Sequence, residues 1–231
     1  MFNLIEQSYE ILTPIDREDI LKRIEYAART CYASQDKITE NSASKFVENI
    51  IMKGHLSVVE HQSITVKIVT DRAMLAELTR HRLCSFSVQS QRYCNYNKKG
   101  LVFIKPLWVD VPLGKYKNTS PSEYVTCFRV NGSDIYFDDD IAQHCIFLNN
   151  LDFICISYQM LVGDQKLKPE EARDILPNCT ATEIVMTANL REWIHILKLR
   201  TDKSSHPQMR ELMSGLFEEL KRELPEIFSD I

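Results

Sequence analysis

The chain has 231 residues, 44% hydrophobic and 26% charged, with a formal net charge of −4. That length and mix suit one globular domain with a sizeable core, and the acidic balance argues against broad binding to nucleic acid or anionic membrane. Any phosphate ligand must therefore meet a local cluster of cations. The seven cysteines are odd in number, contain no C-x-x-C pair and follow no signal peptide, so they read as free thiols of a reducing cytoplasm.

Short apolar segments open the chain. Asp16 then caps a helix running towards Tyr32, with Ile20, Leu21, Ile24 and Ala27/Ala28 as its buried stripe. Thr39 to Met52 reads as a second helix, apolar at Ala43, Phe46, Val47, Ile50 and Ile51, and Gly54 ends it. His55, Glu60 and His61 are metal-ligand types, but their spacing fits neither a helical H-E-x-x-H pair nor half a zinc finger, so no metal is expected. Ile64–Val69 alternates as a half-exposed strand.

Asp71 is the N-cap of the next helix, whose apolar stripe is Met74, Leu75 and Leu78 and which ends on Arg80-His81-Arg82. Successive helical residues point about 100° apart, so those three side chains cannot serve one partner. The period then changes to two: Ser85 and Ser87 face one way, Phe86 and Val88 the other. Ser90 and Arg92 share a face again, and a hydroxyl beside a planar fork of donors suits an anion, most simply a phosphate. The alternative reading is plainer. Cations at a helix C-terminus offset its dipole, and serines and arginines on a strand make a solvated face.

Residues 94–140 are the least regular. Leu101 to Ile104 and Val125 to Val130 read as strands separated by Pro106, Pro112, Gly114 and Pro121, and Asn131-Gly132 signals a hairpin to Ile135–Phe137. An apolar helix runs from about Asp139 to Leu161; Asn149, Asn150 and Asp152 interrupt it, which makes it a core helix rather than a membrane span, with His144 structural. Lys168-Pro169-Glu170-Glu171 opens a helix that carries Arg173 and stops at Pro177. Thr180 to Thr187 is β-rich. Asn189 caps a helix bearing Arg191, Trp193, His195 and Arg200, and Pro207 to Arg222 forms a last amphipathic helix. Nothing marks a repeat or an internal linker, so the reading is a single α+β domain, residues 1–231, with a variable insertion around 94–140.

The chain has no Walker loop, G-x-G-x-x-G fingerprint, S-x-x-K or G-x-S-x-G. Its main resource is scattered arginine: Arg80, Arg82, Arg92, Arg173, Arg191 and Arg200. That pattern suits ligands with several separated phosphates, with a cofactor supplying the demanding chemistry.

The order of residues is more specific than the chemistry. Arg80-His81-Arg82, followed by Ser90-Gln91-Arg92, resembles the signature of flavin-dependent thymidylate synthases. Gly54-His55-Leu56-Ser57-Val58-Val59-Glu60-His61, Ala172-Arg173-Asp174-Ile175-Leu176-Pro177 and Asn189-Leu190-Arg191 through Leu199-Arg200 resemble further elements of that family, in the family's order, over residues 15 to 215. The resemblance implies a central, mostly antiparallel sheet flanked by helices, and a cytoplasmic homotetramer with sites shared between subunits. It implies reductive methylation of deoxyuridine monophosphate (dUMP) to thymidine monophosphate (dTMP), with methylenetetrahydrofolate as carbon donor and NADPH-reduced FAD as hydride source.

Carried over by position, Ser57, Arg80, His81, Arg82, Asn189, Leu190, Arg191 and His195 would line the FAD. Glu77, Arg80, Val88, Gln89, Ser90, Gln91, Arg92, Arg173 and Arg200 would contact the nucleotide, Arg92 and Arg173 near its phosphate. Val88 and Gln89 stand where family members often carry a carboxylate or amide. Arg200 would act on the uracil carbonyl edge as the catalytic cation; without the resemblance it reads as a cation at a helix C-terminus. Cys84 and Cys94 lie in and beside the signature, but the implied flavin route needs no thiol. The competing class is a non-catalytic nucleotide- or RNA-binding protein using the same arginines. Against it stand the net charge and the lack of a basic stripe with interleaved aromatics.

Overall fold

Phe2–Ile5 alternates buried with half-buried side chains, the period-two pattern of a strand, and forms β1. The computed structural model describes residues 1–120, 125–137 and 142–229. After β1 the strands are β2 (Ser8–Ile11), β3 (Ser63–Asp71), β4 (Ser85–Val88), β5 (Leu101–Ile104), β6 (Gly114–Asn118), β7 (Thr126–Val130), β8 (Ser133–Phe137) and β9 (Ala181–Asn189). The helices are α1 (Arg17–Thr30), α2 (Ala43–Met52), α3 (Arg72–Leu78), α4 (Tyr96–Lys99), α5 (Ala142–Gln159), α6 (Pro169–Ala172), α7 (Leu190–Arg200), α8 (Pro207–Glu223) and α9 (Pro225–Phe228). The α+β class therefore stands, but the single central sheet is replaced by two: β5-β1-β6-β7-β8 and β2-β3-β9-β4. The chain divides into two compact units, Met1–Ser8, Val69–Glu77 and Val88–Ile184 in one, Tyr9–Ile68, Leu78–Ser87 and Val185–Ile231 in the other.

The first unit is built on the five-stranded sheet, in which β1 pairs with β5 in parallel and every other pairing is antiparallel. The stretch that reads as an insertion supplies β5 to β8 of this sheet. Its aromatic residues are what give the sheet a core of its own. Phe2 stacks on Tyr116 with centroids 5.1 Å apart and meets Phe103 and Phe128 edge-on. The hairpin at Asn131-Gly132 forms as expected, with positive φ of 51° and 95° and Val130 opposite Ser133. Pro121 and the start of the next helix at Asp139 lie outside the described residues. That helix, α5, is only half a core helix: Leu148, Leu151, Cys155 and Tyr158 are buried, whereas Ile146, Phe153 and Ile156 are exposed. His144 is buried, and its Nε2 accepts the Asp110 backbone N–H at 3.2 Å, a structural bond.

The second unit carries most of the four-stranded sheet, each of whose strands is cut near one end by the division into units. Asp16 caps α1 by accepting the Asp19 N–H at 3.0 Å, and Ile20, Leu21, Ile24 and Ala28 are buried as their spacing requires. The second helix starts at Ala43 rather than Thr39, because the Thr39 N–H donates to Ser42 Oγ at 3.0 Å and closes a turn there. Gly54, at φ +77°, ends it: its N–H reaches the Ile51 carbonyl and the His55 N–H that of Ile50, at 2.8 and 3.0 Å. Trp193 of α7 is fully buried and donates its indole N–H to the Ile64 carbonyl at 3.0 Å, which ties α7 to β3.

Candidate active site

Two helix caps precede the functional side chains in sequence. Asp71 accepts the Met74 N–H at 2.8 Å and starts α3, as read from sequence. That helix ends at Leu78, so Arg80, His81 and Arg82 lie in the turns beyond it, not in a last helical turn. The His81 N–H donates to the Leu78 carbonyl at 3.0 Å and turns its ring inward, while Arg80 and Arg82 are exposed. The three side chains diverge, as expected. Among the described residues, Arg80 and Arg82 make no side-chain hydrogen bond or ion pair. The second cap is Asn189, whose Oδ1 accepts the Glu192 N–H at 2.9 Å and starts α7. Glu192, His195 and Arg200 then recur at spacings that keep them on one side of the helix.

These elements converge on His81, which is 5% exposed. Arg200 Nε donates to its Nε2 at 2.9 Å. Glu192 Oε1 lies 3.7 Å from its Nδ1. The His195 ring meets it edge-on at 6.0 Å. Burial first, then the charges of Arg200 and His195, push the His81 imidazole down to about 4. It is therefore neutral at pH 7 and can accept from a guanidinium. The ligand atoms of His81, Glu192 and His195 lie within 4.8 Å of one another. A divalent ion there would face the Arg200 cation on the same imidazole, so the group reads as one hydrogen bond, Arg200 to His81, with the Glu192 carboxylate beyond it. Glu192 was not singled out in the sequence. As the third residue after an N-cap Asn it looks like a helix-start acid, and only the fold shows that it faces His81.

Beside this group is a cleft of about 790 Å³, lined by Leu56, Glu60, Leu83, Asn189, Arg191, Glu192, Ile194, His195 and Lys198. Leu56, Leu83 and Ile194 offer apolar surface to a cofactor ring system among six polar or charged side chains, and Arg191 and Lys198 offer cations to its phosphates. Arg191 is paired with Glu60 at 2.5 Å. Ser57 is exposed on the 3-10 segment Leu56–His61, outside the lining set. Leu190 is fully buried and its N–H donates to the Gln62 carbonyl at 2.9 Å, so its side chain packs into the core. Cys84 is half-buried; its thiol is pushed up to about 12 by burial and then by the charge of Glu192.

The remaining site residues, Glu77 and those from Val88 to Arg173, lie in the first unit, and Ser85–Ser87 of β4 in the second. In β4, Ser85 and Ser87 are exposed and Phe86 and Val88 half-buried, the expected alternation. It stops at Val88, so the shared strand face read for Ser90 and Arg92 does not form. Instead the Arg92 backbone N–H donates to Ser90 Oγ at 3.2 Å and the Cys94 N–H to the Ser90 carbonyl at 3.1 Å, a turn. Arg92 Nε is paired with Glu170 at 3.1 Å, at the start of α6. Gln89 is held at both backbone groups: its N–H donates to the Glu183 carbonyl at 2.9 Å, and its carbonyl accepts from Arg72 at 2.8 Å. Glu77 and Gln91 are half-buried, and Arg173 is exposed just beyond α6. Arg72 and Glu170, which hold this segment, were not singled out in the sequence.

The family model described as thymidylate synthase complementing protein matches residues 15–226. A probable flavin-dependent thymidylate synthase of Mycobacterium phage D29 is 31% identical over 216 residues, covering 90% of this chain and 81% of that protein. A flavin-dependent thymidylate synthase of Corynebacterium diphtheriae is 30% identical over 224 residues, covering 90% and 77%. Among solved structures, thymidylate synthase X of Helicobacter pylori, with FAD and dUMP, is similar with a TM-score of 0.67 at 22% identity, over 97% of this chain and 98% of that one. The UMP/dUMP methylase PolB of Streptomyces cacaoi, bound with 5-Br UMP, is similar with a TM-score of 0.71 at 22% identity, over 99% and 95%.

Proposed function

The chain belongs to the thymidylate synthase complementing protein family, that of the flavin-dependent thymidylate synthases, and on that premise we propose that it methylates dUMP reductively to dTMP. Methylenetetrahydrofolate is the carbon donor. FAD, reduced by NADPH, supplies the hydride when bound. The observation that carries the reading is the bond from Arg200 Nε to a buried, neutral His81. It holds the half-buried guanidinium against a buried ring, and a cation fixed in place is effective against negative charge developing on a uracil ring. Arg200 thus activates carbon five of the ring electrostatically.

The flavin contacts are Ser57, Arg80, His81, Arg82, Asn189, Leu190, Arg191 and His195. Arg191, His195 and Asn189 line the cleft, and the exposed Arg80 and Arg82 supply cations for phosphate. Leu190 serves by packing beneath it. The nucleotide contacts are Glu77, Arg80, Val88, Gln89, Ser90, Gln91, Arg92, Arg173 and Arg200, with Arg92 exchanging Glu170 for phosphate. Residues 1–231 act as one functional domain of a cytoplasmic homotetramer whose sites are shared between subunits, without nucleic acid, membrane or metal. The test is a dTMP-forming assay with dUMP, methylenetetrahydrofolate, NADPH and FAD, each omitted in turn. Omission of dUMP, methylenetetrahydrofolate or NADPH should stop turnover, as should omission of FAD from protein stripped of flavin, and the purified protein should be yellow or become so with FAD. A colourless protein that binds dUMP or RNA without turnover would leave a binding module instead.

A further inference from the structure

We propose that Glu192 is a positioning residue for the Arg200 guanidinium, acting through His81. Both sides of the His81 ring require the same tautomer. The Arg200 Nε–H points at Nε2 from 2.9 Å, which demands a lone pair there. On the opposite side, Glu192 Oε1 is 3.7 Å from Nδ1, beyond direct hydrogen-bond length but within strong electrostatic range for a buried pair. A carboxylate at that place favours a proton on Nδ1 over a lone pair. Free imidazole has no such bias, and an Nε2–H tautomer would set two donors against each other at Arg200.

Glu192 is itself well fixed. It is 8% exposed, and its backbone N–H is bonded to Asn189 Oδ1 in the first turn of the eleven-residue α7, where the helix dipole stabilises a carboxylate. Its field also raises the neighbouring Cys84 thiol. The carboxylate thus sets the His81 tautomer, and the tautomer sets the plane of Arg200. This rests on the reading of Arg200 as the cation that acts on the substrate.

The decisive measurement is the protonation state of the two His81 ring nitrogens by 15N NMR on the full-length protein, assigned with His81→Asn. The wild type should carry its proton on Nδ1, and an Nε2–H ring overturns the proposal without any variant. Glu192→Ala should release the ring toward Nε2–H and lower kcat, counted per bound FAD, at least tenfold, with KM for dUMP changed less than threefold. Glu192→Gln, which keeps the shape of the side chain but removes its charge, should release the ring as Glu192→Ala does, since the bias across 3.7 Å is electrostatic; a Glu192→Gln protein that keeps Nδ1–H overturns the proposal. An unchanged tautomer in a folded Glu192→Ala overturns the proposal whatever the activity. A changed tautomer with full turnover upholds the positioning role and removes Arg200 from the reaction, which defeats the functional reading instead.

Discussion

Arg92 is held by Glu170: its Nε lies 3.1 Å from the carboxylate, with both side chains substantially exposed. An anionic ligand at Arg92 must compete with that carboxylate. Exposed pairs of this kind are worth about 0–1 kcal/mol, so the competition is mild. Arg92→Ala should weaken dUMP binding by several kcal/mol at most, about the value of one charge-assisted pair, and leave FAD binding largely intact. Glu170→Gln should tighten dUMP binding by up to about fivefold. Titration calorimetry with dUMP and flavin absorbance measure the two ligands separately. Equal loss of both in Arg92→Ala would show that the sites are not separable.

His81 makes stability depend on pH in a stated direction. Its imidazole is pushed from 6.5 down to about 4 in the folded chain, so the unfolded chain binds more protons between those values. Stability therefore rises with pH across that window. The contribution is complete above pH 6.5 and is lost as pH falls towards 4, amounting to at most about 3 kcal/mol. Between pH 7 and pH 5 the wild type should lose about 2 kcal/mol more than His81→Asn by urea unfolding. Parallel losses in the two proteins would assign the acid sensitivity to other groups.

Much of the fold was legible because local chemistry decided it. Asp16, Asp71 and Asn189 each accept a backbone N–H three residues on, and Asn131-Gly132 makes its hairpin. The two sheets were not legible, since strand pairing between distant segments such as β1 and β5 leaves no local trace. The site divides in the same way. His81 and Arg200 were named from the family signature, but their mutual bond joins residues separated by 119 positions, and no local spacing encodes it. Glu192 and Glu170 escaped notice because both sit in first helical turns, where an acid needs no further explanation. Ser90 and Arg92 are not strand neighbours because the two-residue period ends at Val88, where a turn that no local spacing announces takes over.

Trp193 offers a test of the packing under the candidate site. Its indole N–H donates to the Ile64 carbonyl at 3.0 Å, and the side chain is fully buried. Trp193→Phe removes the donor and leaves that carbonyl without its partner, so it should cost about 1–3 kcal/mol of stability plus a share for the lost ring volume. Trp108 is 58% exposed, so the variant should also lose the buried component of tryptophan fluorescence. Unchanged stability would mean that α7 is not tied to β3 through this residue.

Assembly and flavin content should be linked. If Arg80, His81 and Arg82 address ligands shared between subunits, an isolated subunit holds FAD poorly. Sedimentation and flavin absorbance should then fall together on dilution, as expected for a ligand bound only by the assembled state. A stable monomer with full flavin occupancy would refute shared sites.

The cysteines test the chemistry itself. A thiol that attacks carbon six of uracil must be a thiolate near neutral pH, which calls for nearby cations and access. Cys84 lies between the exposed Arg82 and the strand β4, so its sequence neighbours favour a lowered value. Its surroundings in the fold do the opposite: burial and then the Glu192 carboxylate raise it to about 12, and it stays a protonated thiol. Cys94 is half-buried, its N–H bonded to the Ser90 carbonyl in the turn after β4. Electrostatic activation by Arg200 requires neither sulfur. Cys84→Ala and Cys94→Ala should therefore each keep turnover within about tenfold, a barrier change of roughly 1.4 kcal/mol or less. Arg200→Ala should lose on the order of a hundredfold or more, because it removes a fixed charge that acts in the transition state. Steady-state dTMP formation at saturating substrates measures all three, after FAD content and folding have been checked. A folded, yellow Cys84→Ala or Cys94→Ala without activity would make that thiol the nucleophile and replace electrostatic activation by covalent catalysis.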